Sequence, residues 1–156
     1  MMRITAQEEY GLRCLLQLAL QPKGEPLTVR EIARREGLST AYVEKLLYQL
    51  SRAGLTRSVR GQSGGYCLSR SPQEISLGEI IRALGGFASD AEICTQFTGN
   101  LDYCVHVNNC GIRPLWRVAF YIQSMLDRIP LSALLHDEQK VERDLMETGR
   151  ANFIAV

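Results

Sequence analysis

The chain has 156 residues, 46% of them hydrophobic and 22% charged, with a formal net charge of +1. That length allows one domain, or a small domain with an appendage, and that composition excludes an intrinsically disordered chain. The near-neutral total hides an asymmetry: residues 1–86 carry 12 Lys/Arg against 8 Asp/Glu, while residues 87–156 carry 6 against 9, as expected of a nucleic-acid-binding module followed by a different one.

The opening MMRITAQEEYGLRCLLQLAL places Glu8 and Glu9 ahead of an apolar run too short to span a bilayer, and it lacks the basic start of a signal peptide. A cytoplasmic protein with no membrane partner is therefore expected. In that compartment thiols stay reduced, so the five cysteines do not form a disulfide framework.

A first helix is predicted over about 6–19. Thr5 and Glu8 stand at capping-box spacing, and Leu12, Leu15, Leu16 and Ala19 make an apolar stripe. QPKGEP (21–26) breaks the helix. A second helix starts at another capping box, Thr28 to Glu31, and stops at Gly37. A third runs from about Thr40 to Ala53, with Val43, Leu46, Leu47 and Leu50 at helical period and Gly54 ending it. Leu55–Val59 and Tyr66–Leu68 read as two strands around a Gly-rich tip. A fourth helix begins at a Ser76–Glu79 capping box and ends at Gly85 and Gly86. A polar loop then holds Cys94, Cys104 and Cys110. RPLWRVAFYIQSMLDRIP (113–130) reads as a long helix whose apolar arc is wide enough to pack on its own domain and on a partner. From His136 the sequence is polar and weakly patterned until NFIAV and gives no assignable element.

Two short helices joined by a tight Gly-containing turn, then a hairpin, is the order of a winged helix-turn-helix, in which the second helix enters the major groove by its N-terminal residues. Here those are Ser39, Thr40, Tyr42, Glu44 and Lys45. Ser and Thr suit phosphate or base edges, Lys45 suits phosphate or guanine, and Glu44 can accept from a cytosine amine. The wing offers Arg60 at its base and Gln62, Ser63 and Gly64 at a small tip able to approach the sugar–phosphate backbone. Residues 23–70 hold 9 Lys/Arg against 4 Asp/Glu, a basic footprint of the sign DNA requires.

MRITAQEEYGLRCLLQLA, LSTAYVEKLLYQLSRAGL, SVRGQSGGYCLSRSPQEISLGEIIRAL and the downstream cysteine triplet together resemble the IscR/NsrR-like family of iron–sulfur winged-helix transcriptional regulators, over roughly residues 2–135. The resemblance implies a homodimer on a near-palindromic double-stranded DNA operator, with the long C-terminal helix crossing to the other subunit. The expected fold is mainly α with a small β-hairpin wing. It divides into a winged helix-turn-helix domain (1–86), a cysteine-bearing cluster loop (87–112), a dimerisation helix region (113–135) and a tail of unassigned role (136–156).

The cysteine loop admits several chemistries. A structural zinc site normally contains a tight pair such as C-x₂-C, which this loop lacks. A thiol switch needs an activated thiolate and a resolving partner, and no Lys or Arg lies near the thiols before Arg113. An iron–sulfur cluster needs thiolates on a loop able to wrap it, at spacings that vary between families, and suits the segment best. By resemblance, Cys94, Cys104 and Cys110 match the cluster-binding triplet. Arg113 stands where some members place a ligating His, and arginine cannot ligate at ordinary pH. The resemblance puts the fourth ligand at Glu9, donated by the other subunit, with His106 as rival, and leaves the cluster as either [2Fe–2S] or [4Fe–4S]. The alternative is a family regulator without a cluster, responding to thiol oxidation, a small molecule or a partner protein. No nucleophile elbow, P-loop or C-x-x-C is present, and neither His106 nor His136 has a catalytic partner, so the chain does not read as an enzyme.

Overall fold

The computed structural model of the chain describes residues 4–22, 25–61, 64–86, 98, 101–103, 105, 106, 111 and 113–154, with the backbone alone at 113, 115–117, 119 and 150–154. The elements are α1 (Ala6–Ala19), α2 (Val29–Glu36), α3 (Thr40–Arg52), β1 (Thr56–Val59), β2 (Gly65–Leu68), α4 (Leu77–Ala83), α5 (Arg113–Leu126), a 3₁₀ turn (Leu131–Leu135) and α6 (Glu138–Ile154).

Local chemistry explains the starts of α1, α2 and α4. The Thr5 hydroxyl accepts from the Glu8 amide at 3.2 Å, and the Glu8 carboxylate accepts from the Thr5 amide at 2.6 Å. Ser76 and Glu79 do the same for α4, at 3.2 and 2.9 Å. The box expected at α2 is only half formed. Thr28 accepts from the Glu31 amide, but the Glu31 side chain turns forward to Arg34 and Arg35, at 2.7 and 2.8 Å, because two guanidiniums outcompete one neutral amide for a carboxylate.

The apolar stripes meet in one core. Leu15, Ile32, Val43, Leu46, Leu47, Leu50, Ile75 and Ile80 are wholly buried, as is Leu131 from the 3₁₀ turn. Each such side chain contributes roughly 1.5–3 kcal/mol by burial. On α1 the deepest positions are Cys14, Leu15 and Leu18, while Leu12, Leu16 and Ala19 flank them half-buried. Gly11 allows α4 close approach, since a Cβ there would stand 2.5 Å from Leu84 Cδ1.

The C-terminal part is tied to this core by backbone. The Leu77 amide donates to the Ile129 carbonyl and the Leu131 amide to the Ile75 carbonyl, both at 2.8 Å. Arg82 pairs with Asp127 at 2.7 Å. Ile129 and Leu131 enter the core beside α4, so the end of α5 is anchored in the N-terminal half. The tail from His136 holds α6, which the sequence pattern did not reveal. Asp137 Oδ1 caps it by accepting from the Lys140 amide at 3.0 Å. Its inward residues, Val141, Leu145 and Thr148, are only half-buried. Among the described residues no helix is long and apolar enough to cross a membrane.

Candidate nucleic-acid interface

The turn between α2 and α3 is built by three residues. Gly37 takes φ +68°, a left-handed conformation that glycine adopts without steric cost, and its amide returns to the Ala33 carbonyl. The Leu38 amide reaches the same carbonyl at 2.9 Å. Ser39 then caps α3, its hydroxyl accepting from the Tyr42 amide at 3.2 Å. Helix α3 buries Val43, Leu46, Leu47 and Leu50 completely. Helical periodicity consequently leaves Thr40, Ala41, Glu44, Lys45, Tyr48 and Arg52 on the exposed face.

The hairpin pairs Thr56 with Leu68, Arg57 with Cys67, Ser58 with Tyr66 and Val59 with Gly65. Leu27 adds a single bridge to Tyr66, with both amide–carbonyl bonds at 2.9 Å. The wing is thereby stitched to the residue just ahead of the α2 cap. This contact requires Gly65, because a Cβ there would lie 2.4 Å from the Leu27 carbonyl oxygen. At the tip, the Gly64 amide donates to the Gly61 carbonyl at 3.0 Å.

Charge on this side is unevenly committed. Glu31 holds Arg34 and Arg35, and those hydrogen bonds lower its pKa to about 2. Arg13 pairs with Glu36 at 2.6 Å and Arg70 with Glu79 at 2.9 Å. Arg30, Lys45, Arg52, Arg57 and Arg60 are exposed and form no ion pair among the described residues. Exposed cations such as these can bind phosphate, and the outer face of α3 presents Glu44 and Thr40 for base edges.

Of the residues singled out in the sequence, Thr40, Glu44, Lys45 and Arg60 lie exposed, and Ser39 lies exposed with its oxygen engaged as a cap. Tyr42, expected among the residues that enter the groove, differs from the others. It is half-buried, and its ring meets that of Tyr10 edge-on. Gly64 sits at the wing tip, and Gln62 and Ser63 lie outside the described residues. Sequence reasoning passed over Tyr48 and Arg52, although they follow Glu44 and Lys45 at the 3, 4 and 7 spacings that share a helix face.

The expected metal ligands divide. Cys94, Cys104 and Cys110 lie outside the described residues. Glu9 is exposed on α1, while its neighbour Glu8 is buried in the capping box. His106 is exposed. Among the described residues no group of three or more His, Cys, Asp or Glu is gathered around one point. Cys14 and Cys67 are free, buried thiols. Burial pushes the Cys14 thiol up to about 12.

The sequence matches the family model of Rrf2, described as iron-dependent transcriptional regulators, over residues 4–137. It is 35% identical over 139 residues to the HTH-type transcriptional regulator IscR of Aliivibrio salmonicida, covering 88% of this chain and 80% of that one. The fold is similar to CymR, the global cysteine regulator of B. subtilis, with TM-score 0.67 and 31% identity over 86% of this chain and 97% of that one. It is likewise similar to T. potens IscR, with TM-score 0.65 and 32% identity over 86% of each chain. With the winged helix, its exposed polar face and these relatives in hand, the chain belongs to the Rrf2 family and is a transcriptional regulator rather than an enzyme.

Proposed function

We propose that two copies of this chain bind a near-palindromic double-stranded DNA operator, with α3 in the major groove and the wing on the backbone, and that an iron–sulfur cluster sets the affinity. The observation that carries the DNA part is the exposed face of α3, with Lys45 and Arg52 unpaired among the described residues, on a helix whose other face is wholly buried. A rigid helix with a polar, cationic outer stripe is what groove entry demands. Two recognition helices must sit about one DNA turn apart, so a small tilt between subunits changes affinity strongly.

For the cluster, the donor set is the argument. Cys94, Cys104 and Cys110 supply soft thiolates suited to iron. Glu9 supplies a carboxylate from the other subunit; it is exposed, whereas Glu8 is consumed by its cap. His106 is the rival fourth ligand. When bound, the cluster would supply a centre responsive to iron, redox state or nitric oxide. The chain's own part is mechanical: Glu9 adjoins Tyr10 on α1, and Tyr10 abuts Tyr42 in the first turn of α3.

The test is anaerobic purification with iron, sulfide and absorbance measurements, joined to selection of DNA from a random duplex pool. A coloured, sulfide-containing protein whose DNA affinity changes when the cluster is removed supports the reading. A colourless protein that stays so after reconstitution sinks the cluster. It would leave the second reading, favoured by the likeness to the cysteine regulator CymR, in which the same scaffold responds to thiol oxidation, a small molecule or a partner protein. Within either reading, Arg60→Ala should weaken operator binding by about 1–3 kcal/mol, and unchanged affinity would remove the wing from the interface.

A further inference from the structure

Tyr48 is the one large apolar side chain on the outer face of α3. It is 59% exposed and makes no hydrogen bond among the described residues. Its turn-neighbours on that face are Glu44, Lys45 and Arg52, and the opposite face is occupied by Val43, Leu46, Leu47 and Leu50. The ring therefore contributes little to the core. Unlike Tyr42, which shares its helix, it has no aromatic partner among the described residues.

Position along the axis decides what it can reach. Thr40 opens α3 and Tyr48 lies eight residues later, which at ~1.5 Å per residue is about 12 Å. The major groove is itself about 12 Å wide. When the first turn of α3 faces base edges, Tyr48 stands near the groove wall, where the sugar–phosphate backbone runs, and Arg52 follows one turn later on the same side. A phenol there has a neutral O–H to donate and a flat body to exclude water.

We infer that Tyr48 is a positioning residue for DNA: its hydroxyl donates a hydrogen bond to a non-bridging phosphate oxygen, next to an ionic contact from Arg52. The inference rests on the reading of α3 as the groove helix. Its chemistry sets it apart from Lys45 and Arg60. A neutral donor binds a phosphate without displacing a counterion, whereas a cation releases one and steepens the salt dependence. Tyr48 thus fixes the depth and register of α3 without reading sequence.

The experiment uses the 156-residue chain, purified anaerobically and measured both as purified and after chelator treatment. Duplexes enriched from a random pool by the wild-type protein are the probe. Affinity is then followed over a salt series for wild type, Tyr48→Phe, Arg52→Gln and Lys45→Ala. Tyr48→Phe keeps the ring and loses only the hydroxyl. It should bind about tenfold more weakly, with the wild-type salt slope, the wild-type enriched sequence and an unchanged melting temperature. Arg52→Gln should lower the salt slope by about 1. Tyr48→Phe binding as tightly as wild type, while Lys45→Ala binds less tightly, overturns this inference and leaves the DNA reading standing. A changed enriched sequence for Tyr48→Phe moves the contact to a base and overturns the phosphate assignment. Failure of the wild type to enrich any duplex overturns the DNA reading, and this inference with it.

Discussion

The Tyr10 ring meets the Tyr42 ring edge-on, with centroids 6.0 Å apart and planes at 83°. The Arg13 guanidinium lies over the Tyr10 ring, 5.4 Å from its centroid, and also pairs with Glu36 at 2.6 Å. One aromatic side chain on α1 thus touches the start of α3 directly and the end of α2 through a cation. The two helices that form the DNA-reading pair are held in register from behind.

Tyr10→Leu keeps apolar bulk but removes the edge-to-face contact and the cation–π contact. Each is worth about 0.5–1.5 kcal/mol, so a loss of about 1–2 kcal/mol is expected in urea unfolding. DNA binding should weaken as well, because the first turn of α3 loses its support. Unchanged unfolding midpoint and unchanged affinity together would show that the contact does not hold the pair.

Gly65→Ala tests the stitch between the wing and α2. A Cβ at 65 would fall 2.4 Å from the Leu27 carbonyl oxygen and 2.6 Å from its carbon, both backbone atoms that cannot rotate away. The strand must shift, at an expected cost of about 1–3 kcal/mol. The bonds between Leu27 and Tyr66 should lengthen with it. Amide hydrogen exchange at Leu27 and Tyr66 reads that directly, and wild-type protection in the variant would contradict the account.

The buried thiols should be chemically silent. Cys14 is wholly buried and its thiol is pushed up to about 12, chiefly by burial, so almost no thiolate exists at pH 8. Cys67 is 4% exposed. Iodoacetamide on the native, cluster-free protein should modify at most Cys94, Cys104 and Cys110, with all five reacting after unfolding, as mass spectrometry would show. The pH consequence has a definite sign. The folded thiol titrates above its unfolded value of about 9, so its contribution to stability is complete below pH 9 and is lost as pH rises towards 12. Rapid native alkylation of Cys14 would refute its packing role.

The sequence was most readable where one residue type answers one local demand. Thr5, Thr28 and Ser76 each cap a helix, Gly37 and Gly54 end helices with positive φ, and the Val43–Leu50 stripe faces the core. Readability failed where two demands compete. Glu31 stands at box spacing, yet Arg34 and Arg35 claim its carboxylate. Tyr42 reads as polar by its hydroxyl, but its ring packs inward against Tyr10. Helix α6 escaped notice because its inward stripe, Val141, Leu145 and Thr148, is short, half-buried and interrupted by Gly149, which lies 3.6 Å from Met125 Sδ where a Cβ would be. Asp137, three residues before Lys140, was its one clear signal. Leu27 pairs through a single bridge, too short for any periodicity to show.

Adjacent acidic residues on α1 give the sharpest test of the proposed cluster site. Glu8 is 7% exposed and its carboxylate receives the Thr5 amide at 2.6 Å. Glu9 is exposed, and its side chain makes no hydrogen bond among the described residues. Glu8→Ala therefore removes half a capping box, at an expected cost of about 1 kcal/mol, and should leave the absorbance of a reconstituted cluster alone. Glu9→Ala should do the reverse, keeping the unfolding midpoint while changing the cluster spectrum or quickening its loss, because a thiolate set missing its carboxylate must take solvent or His106 instead. Thermal unfolding of the apo-protein and absorbance of the reconstituted protein, measured on both variants, separate the two roles. If Glu9→Ala has the wild-type spectrum and the wild-type rate of cluster loss, the carboxylate is not the fourth ligand, and His106→Ala becomes the variant on which the spectrum must change.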